Sequence, residues 1–100
     1  MFHSLVDFDN TQVLSLSGEL DALSSPELRP AVDAMTRDAG CKIKVDLTGL
    51  TLLDSSGVGL LVSLFKRTRA NRGSVTFVGV TDQPLSIFKL LRLDRVFAMA

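Results

Sequence analysis

Between Lys42 and Leu47 polar and apolar residues alternate, the period-two pattern of a strand with one buried face. Two earlier stretches, Phe2 to Phe8 and Thr11 to Ser17, also read as strands, the second with Leu14 and Leu16 toward the core. Asp9-Asn10 between them is a hairpin turn, which makes the pair antiparallel neighbours. The spacing then changes to that of a helix, with Leu28, Ala31, Val32 and Met35 on one face. This helix opens at Ser24-Ser25-Pro26-Glu27, either with Ser24 and Glu27 as a capping box or with Ser25 as the cap and Pro26 at the first helical position. Pro30 removes an amide that would bond back to Pro26, so a bend or a loose first turn is expected there, and Gly40 ends the segment.

After the strand Lys42 to Leu47 comes a loop, Thr48-Gly49-Leu50-Thr51, and then Leu52-Leu53-Asp54-Ser55-Ser56-Gly57-Val58-Gly59-Leu60-Leu61. Val58, Leu61, Val62 and Phe65 form the apolar face of a second helix that runs to about Ala70. Asn71-Arg72-Gly73 stops it, with Asn71 or Gly73 in the left-handed conformation. Ser74 to Val80 is the next strand; it carries Val75 and Phe77 on one face and Val78 and Val80 on the other, as a central strand does. Thr81 or Asp82 caps a third helix whose Leu85, Phe88 and Leu90 or Leu91 face inward, and Arg95 to Met99 is a short last strand. From the second strand onward β and α alternate, so an α/β fold with parallel strands and right-handed crossovers is expected. The polar row Lys42, Lys44 and Asp46 predicts that helices cover one side of the sheet more fully than the other.

Length and charge narrow the classes of function. One hundred residues suit a single domain, residues 1–100, with one core. Eleven basic and eleven acidic residues cancel, so no net field favours nucleic acid or an anionic membrane. Cys41 is the lone cysteine, and no apolar run approaches the roughly 20 residues that span a bilayer. A cytoplasmic protein that touches neither nucleic acid nor membrane is the expectation. Catalysis has little to stand on, since His3 is the only histidine and no Gly-x-Ser-x-Gly elbow or metal-ligand spacing occurs. Gly57-Val58-Gly59 lacks the Gly-Lys-Ser or Gly-Lys-Thr of a P-loop, and no cofactor is implied.

The chemistry that stands out is at the start of the second helix. Asp54 is a good N-cap, because its carboxylate accepts amides that the first turn leaves unpaired. Ser55 and Ser56 then lie in that first turn, near the positive end of the helix dipole, where a phosphate added to a hydroxyl would meet donors already in place. Local pattern does not separate the two serines. Gly57 and Gly59 each cost about 1 kcal/mol relative to alanine inside a helix, so close packing or bare backbone beside the serines must offset them. Leu60 and Leu64 lie well around from Val58 and Val62; either they pack on a neighbouring helix or they form an exposed apolar flank where a partner docks. Lys66, Arg67, Arg69 and Arg72 complement the negative end of the same helix and read first as a solvated face.

Asp54-Ser55-Ser56-Gly57-Val58-Gly59 between a hydrophobic strand and an apolar helix resembles the signature of a STAS domain, and most closely that of a stand-alone bacterial anti-sigma factor antagonist. Gly18-Glu19-Leu20-Asp21, Asp46-Leu47-Thr48 and the closing Leu93-Asp94-Arg95-Val96-Phe97 extend the resemblance over nearly the whole chain. It implies the STAS fold, a curved, mixed but mostly parallel sheet of four to five strands with three or more helices. It implies a binding module rather than an enzyme: the unphosphorylated protein binds an anti-sigma factor serine kinase and so releases a sigma factor. The kinase inactivates it by phosphorylating the first serine after the motif aspartate, and a phosphatase resets it. By position that serine is Ser55. Asp21 matches a family aspartate near the phosphoserine that takes part in partner contact. The expected partner-binding residues are therefore Asp21, Asp54, Ser55, Ser56, Gly57 and Gly59, with Leu60 and Leu64 if they are exposed. The alternative is a constitutive STAS subunit of a lipid-transport ATPase or a stressosome-like scaffold, with no kinase cycle. One departure is at the end, where family members usually continue into another helix and this sequence stops at Ala100.

Overall fold

Alternation along the first twenty residues builds an antiparallel hairpin, β1 (Phe2–Phe8) and β2 (Thr11–Leu20), closed by Asp9 and Asn10, both at positive φ. The computed structural model describes all residues from Met1 to Ala100. After the hairpin come α1 (Ser25–Met35), β3 (Lys42–Leu53), α2 (Ser55–Ala70), β4 (Ser74–Val78), α3 (Asp82–Leu90), a 3₁₀ turn at Leu93–Arg95 and β5 (Ala98–Met99). The five strands lie in the order β1-β2-β3-β4-β5, antiparallel at β1–β2 and parallel from there on.

Register puts Leu5, Leu14, Val45 and Phe77 in one row across the sheet, and the last three are fully buried. Leu28, Val32 and Met35 of α1, Leu60, Leu61 and Leu64 of α2 and Phe88 of α3 complete the core with them. The neighbouring row, Val6, Val13 and Lys44, faces the other way; there Phe2 and Phe8 stand more than 70% exposed. The helices thus cover one face, as the polar row of β3 predicts. At the far end Phe97 stacks on Phe77 with ring centroids 4.3 Å apart and meets Phe88 edge-on at 5.5 Å, which ties the closing segment to the core.

Several expectations are corrected. The loop expected at Thr48–Thr51 is strand, because β3 continues to Leu53 by pairing with an equally extended β2. The pairing survives through register shifts beside Ser17 and Gly18, and Gly18, at φ +89°, takes a conformation that a side chain would disfavour. The strand expected to reach Val80 ends at Val78, and the strand expected from Arg95 shrinks to Ala98–Met99 behind the 3₁₀ turn. At the end of α2 the left-handed residue is Arg72, not Asn71 or Gly73. Gly73 answers a different need: a Cβ there would collide with the Cys41 carbonyl oxygen and with Thr68 Cγ2. In α3 Phe88 is buried as expected and Leu85 is half-buried, but neither Leu90 nor Leu91 faces inward; both are exposed, and Pro84 shares the buried face with Phe88. No helix is long and apolar enough to cross a membrane.

Candidate functional site

The parallel strands β2 and β3 end side by side, Leu20 opposite Leu53, and the chain leaves β3 straight into α2. Gln83 of α3 secures that exit: Leu53 N–H donates to Gln83 Oε1 at 2.8 Å, and Gln83 Nε2 donates to the Leu53 carbonyl at 2.9 Å. The side chain therefore replaces a neighbouring strand at the point where the sheet stops. Nothing in the local pattern around Gln83 announces this role, since its partner lies thirty residues away.

Asp54 is the N-cap of α2. Its Oδ1 accepts the Gly57 amide at 3.0 Å, its Oδ2 accepts the Ala22 amide at 3.1 Å, and its own N–H donates to the Leu20 carbonyl at 3.2 Å. One carboxylate thus caps the helix and fastens the β2–α1 loop to it. Ser55 and Ser56 follow as exposed residues of the first turn, whose amides have no partner within the helix.

The two glycines separate cleanly. A Cβ on Gly57 would lie 2.6 Å from the Leu20 carbonyl oxygen and 2.7 Å from Leu53 Cδ1, so this buried residue is where helix and sheet touch. A Cβ on Gly59 would meet nothing within 4 Å. Close packing accounts for Gly57; at Gly59 no packing requirement exists, and the glycine leaves bare backbone beside the serines.

Asp21 turns inward to its own loop. Its Oδ1 accepts the amides of Leu23 and Ser24, both at 3.0 Å, and the Ser24 hydroxyl at 3.1 Å. The Ser24 amide, followed by the Ser24 hydroxyl and the Leu23 amide, holds this carboxyl below its ordinary range. Asp46 is held low in the same way by the hydroxyl and amide of Thr48. Asp21 does not share a hollow with Ser55; it lines an adjacent one with Gly18, Leu23, Ser24 and Glu27. The link between the two is Asp54, through Ala22.

Leu60 and Leu64 are fully buried, which decides for packing on a neighbouring helix and corrects their place among the expected partner-binding residues. α2 packs against α1 as well as against the sheet, so its apolar arc is wider than one stripe, and Val58, Val62 and Phe65 at the other margin are only partly buried. The exposed apolar side chain beside the site is Leu23, at 87%.

Ser55 itself opens on a hollow of about 500 Å³, walled by Ala22, Ser25, Arg29, Ser56 and Gly59, with Leu60 behind them. Sequence reasoning missed Ser25 and Arg29. The available signal was their four-residue spacing, which puts both on one face of α1, but no local pattern indicates that this face meets α2.

The model of the family described as "Mlab, STAS domain" matches residues 4–99. An anti-sigma-B factor antagonist of Staphylococcus aureus is 31% identical over 85 residues, covering 85% of this chain and 79% of that protein. The crystal structure of an anti-sigma factor antagonist from Mycobacterium paratuberculosis superposes with a TM-score of 0.87 at 26% identity, over 98% of this chain and 83% of that one. The Bacillus cell fate determinant SpoIIAA in its phosphorylated form shares the fold, with a TM-score of 0.75 at 22% identity over 99% of this chain and 91% of that one. The chain described here therefore belongs to the STAS domain family of bacterial anti-sigma factor antagonists.

Proposed function

We propose that this chain is a phosphate-switched anti-sigma factor antagonist acting in the cytoplasm as one STAS module. With Ser55 free, the surface around the start of α2 docks an anti-sigma factor of the serine kinase type and releases its sigma factor. The kinase then joins Ser55 Oγ to the γ-phosphorus of ATP as the bond to ADP breaks, the hydroxyl proton passing to a base on the kinase. A phosphatase hydrolyses the ester and restores the free form. The observation that carries this reading is the position of Ser55: an exposed hydroxyl on the first residue of α2, on the wall of an open hollow, beside a glycine that packs against nothing. Gly57 and Asp54 shape the surface from beneath, Ala22, Leu23, Ser56 and Gly59 form its exposed part, and the Asp21 turn borders it.

The phosphate acts at the contact itself. It brings about −1.5 to −2 charges to a turn that already holds the Asp54 carboxylate. Free amides attract it while Asp54 repels it, so the helix gains little and loses little. A partner that closed over an imperfectly paired dianion would lose several kcal/mol, and each 1.4 kcal/mol is about tenfold in affinity.

The test uses purified chain, an anti-sigma factor serine kinase from the same cell, ATP and intact mass. The parent and Ser56→Ala gain one phosphate, and Ser55→Ala gains none while keeping its melting temperature. A phosphate mapped to Ser56, or Ser55→Ala modified in full, overturns the assignment.

A further inference from the structure

Ser25 carries the one buried side-chain polar atom in the protein that has no hydrogen-bond partner. The residue is 7% exposed and forms part of the wall of the Ser55 hollow. A buried hydroxyl costs stability when it is unpaired, and here its neighbours do not use it: the Ser24 hydroxyl serves Glu19 and Asp21, and the Ser25 amide donates to the Asp21 carbonyl. One turn along α1, Arg29 lines the same hollow, and its guanidinium takes part in no ion pair and no hydrogen bond. A free hydroxyl donor buried in the wall, which a rotation about χ1 turns toward the hollow, an uncommitted cation and the unpaired first-turn amides of Ser55 and Ser56 therefore lie around one space. No carboxylate lines the hollow; Asp54, next to Ser55 in the chain, has one oxygen on the Gly57 amide and the other on the Ala22 amide. Such a set of donors suits a tetrahedral oxyanion.

We propose that this hollow is an internal seat for the phosphate of phosphoserine 55, with Ser25 Oγ–H and the Arg29 guanidinium as its donors. The inference rests on Ser55 as the phosphoacceptor and adds where the group goes. Seated there, the phosphate bridges the first turns of α1 and α2 and occupies the part of the hollow between them that the free form presents to a partner. The interference is then fixed in position rather than carried on a mobile side chain. Arg29 balances only part of the added charge, so the docking surface still becomes more negative.

The experiment takes the full chain translated with phosphoserine at position 55, so that no kinase is needed, and follows its ³¹P resonance from pH 4 to 8. The second ionisation of a free phosphoserine lies at about 6; in the seat it falls by roughly half a unit or more, because the donors favour the dianion. Arg29→Met and Ser25→Ala, each made in the phosphoserine protein, move it back toward the free value, while Arg37→Met, just beyond the other end of α1, leaves it in place. Arg29 is exposed and Ser25→Ala removes only an unpaired hydroxyl, so both variants fold, and the amide spectra of their unmodified forms verify this. A free-phosphoserine titration in the parent, unmoved by either substitution, overturns the seat. Failure of the phosphoacceptor reading shows elsewhere, in the kinase reaction, since the titration does not depend on any kinase.

Discussion

At the start of α2 the residue just outside the helix, Asp54, spends one carboxylate oxygen on the Gly57 amide and the other on the Ala22 amide. At the start of α1 the corresponding residue is Ser24, and its hydroxyl makes no capping bond; it donates to the Glu19 carbonyl and joins the Asp21 carboxylate instead. Both helices begin beside the same hollow, and both follow the cap with a serine. In α2 the cap is complete and the next hydroxyls are exposed, so Ser55 is free to react. In α1 the cap is turned away, and the next hydroxyl, on Ser25, is buried without a partner. One start is finished and presents chemistry; the other is unfinished and keeps a donor in reserve. The comparison teaches that a helix terminus is defined less by its own sequence than by which neighbouring groups have already claimed its side chains.

The sharpest way to break the finished start is Gly57→Ala. Its Cβ would enter the space of the Leu20 carbonyl oxygen, a backbone atom that cannot move aside without disturbing β2. A loss of about 3 kcal/mol, the upper part of the range for overpacking, is expected in urea unfolding. Asp54→Ala comes next. It removes the α2 cap and the tie to the β2–α1 loop together, for about 1–2 kcal/mol in the same measurement. It also speeds amide exchange at Ala22, which a loss of capping alone does not do.

Gly59→Ala has the smallest effect and the opposite sign. With open space around its Cβ the substitution gains up to about 1 kcal/mol of helix propensity, read as a higher melting temperature. If bare backbone beside Ser55 serves the kinase, the same variant is phosphorylated more slowly. A more stable protein modified at the parental rate would leave Gly59 without a role at the site.

How much of this was legible depends on the range of the forces involved. The hairpin, the alternation of Lys42–Leu47, the start of α1 within one residue and the Asp54 cap are local facts, and the residues themselves announce them. Ser55 stood out because a capped first turn is visible in sequence, although only the resemblance to a family separated it from Ser56. The continuation of β3 through Thr48–Thr51 was not visible, because backbone pairing with β2 stabilises that stretch where its own alternation has lapsed. Spacing showed that the apolar arc of α2 reaches round to Leu60 and Leu64 but not whether anything covers it, since that depends on α1 lying against it.

By itself, then, the sequence determined the order and central part of each strand and helix, where each helix begins, and that two serines would follow a capping aspartate at the start of the second helix. Periodicity and capping act over a few residues, so they survive without any knowledge of the fold. The tertiary structure alone decided that Leu60 and Leu64 are core, that Gly57 is a contact and Gly59 an opening, that Gln83 finishes the sheet edge, and that Ser25 and Arg29 stand across a hollow from Ser55. Each of these joins residues on different elements, and their proximity exists only once the crossovers have laid α1 and α2 together on one face of the sheet.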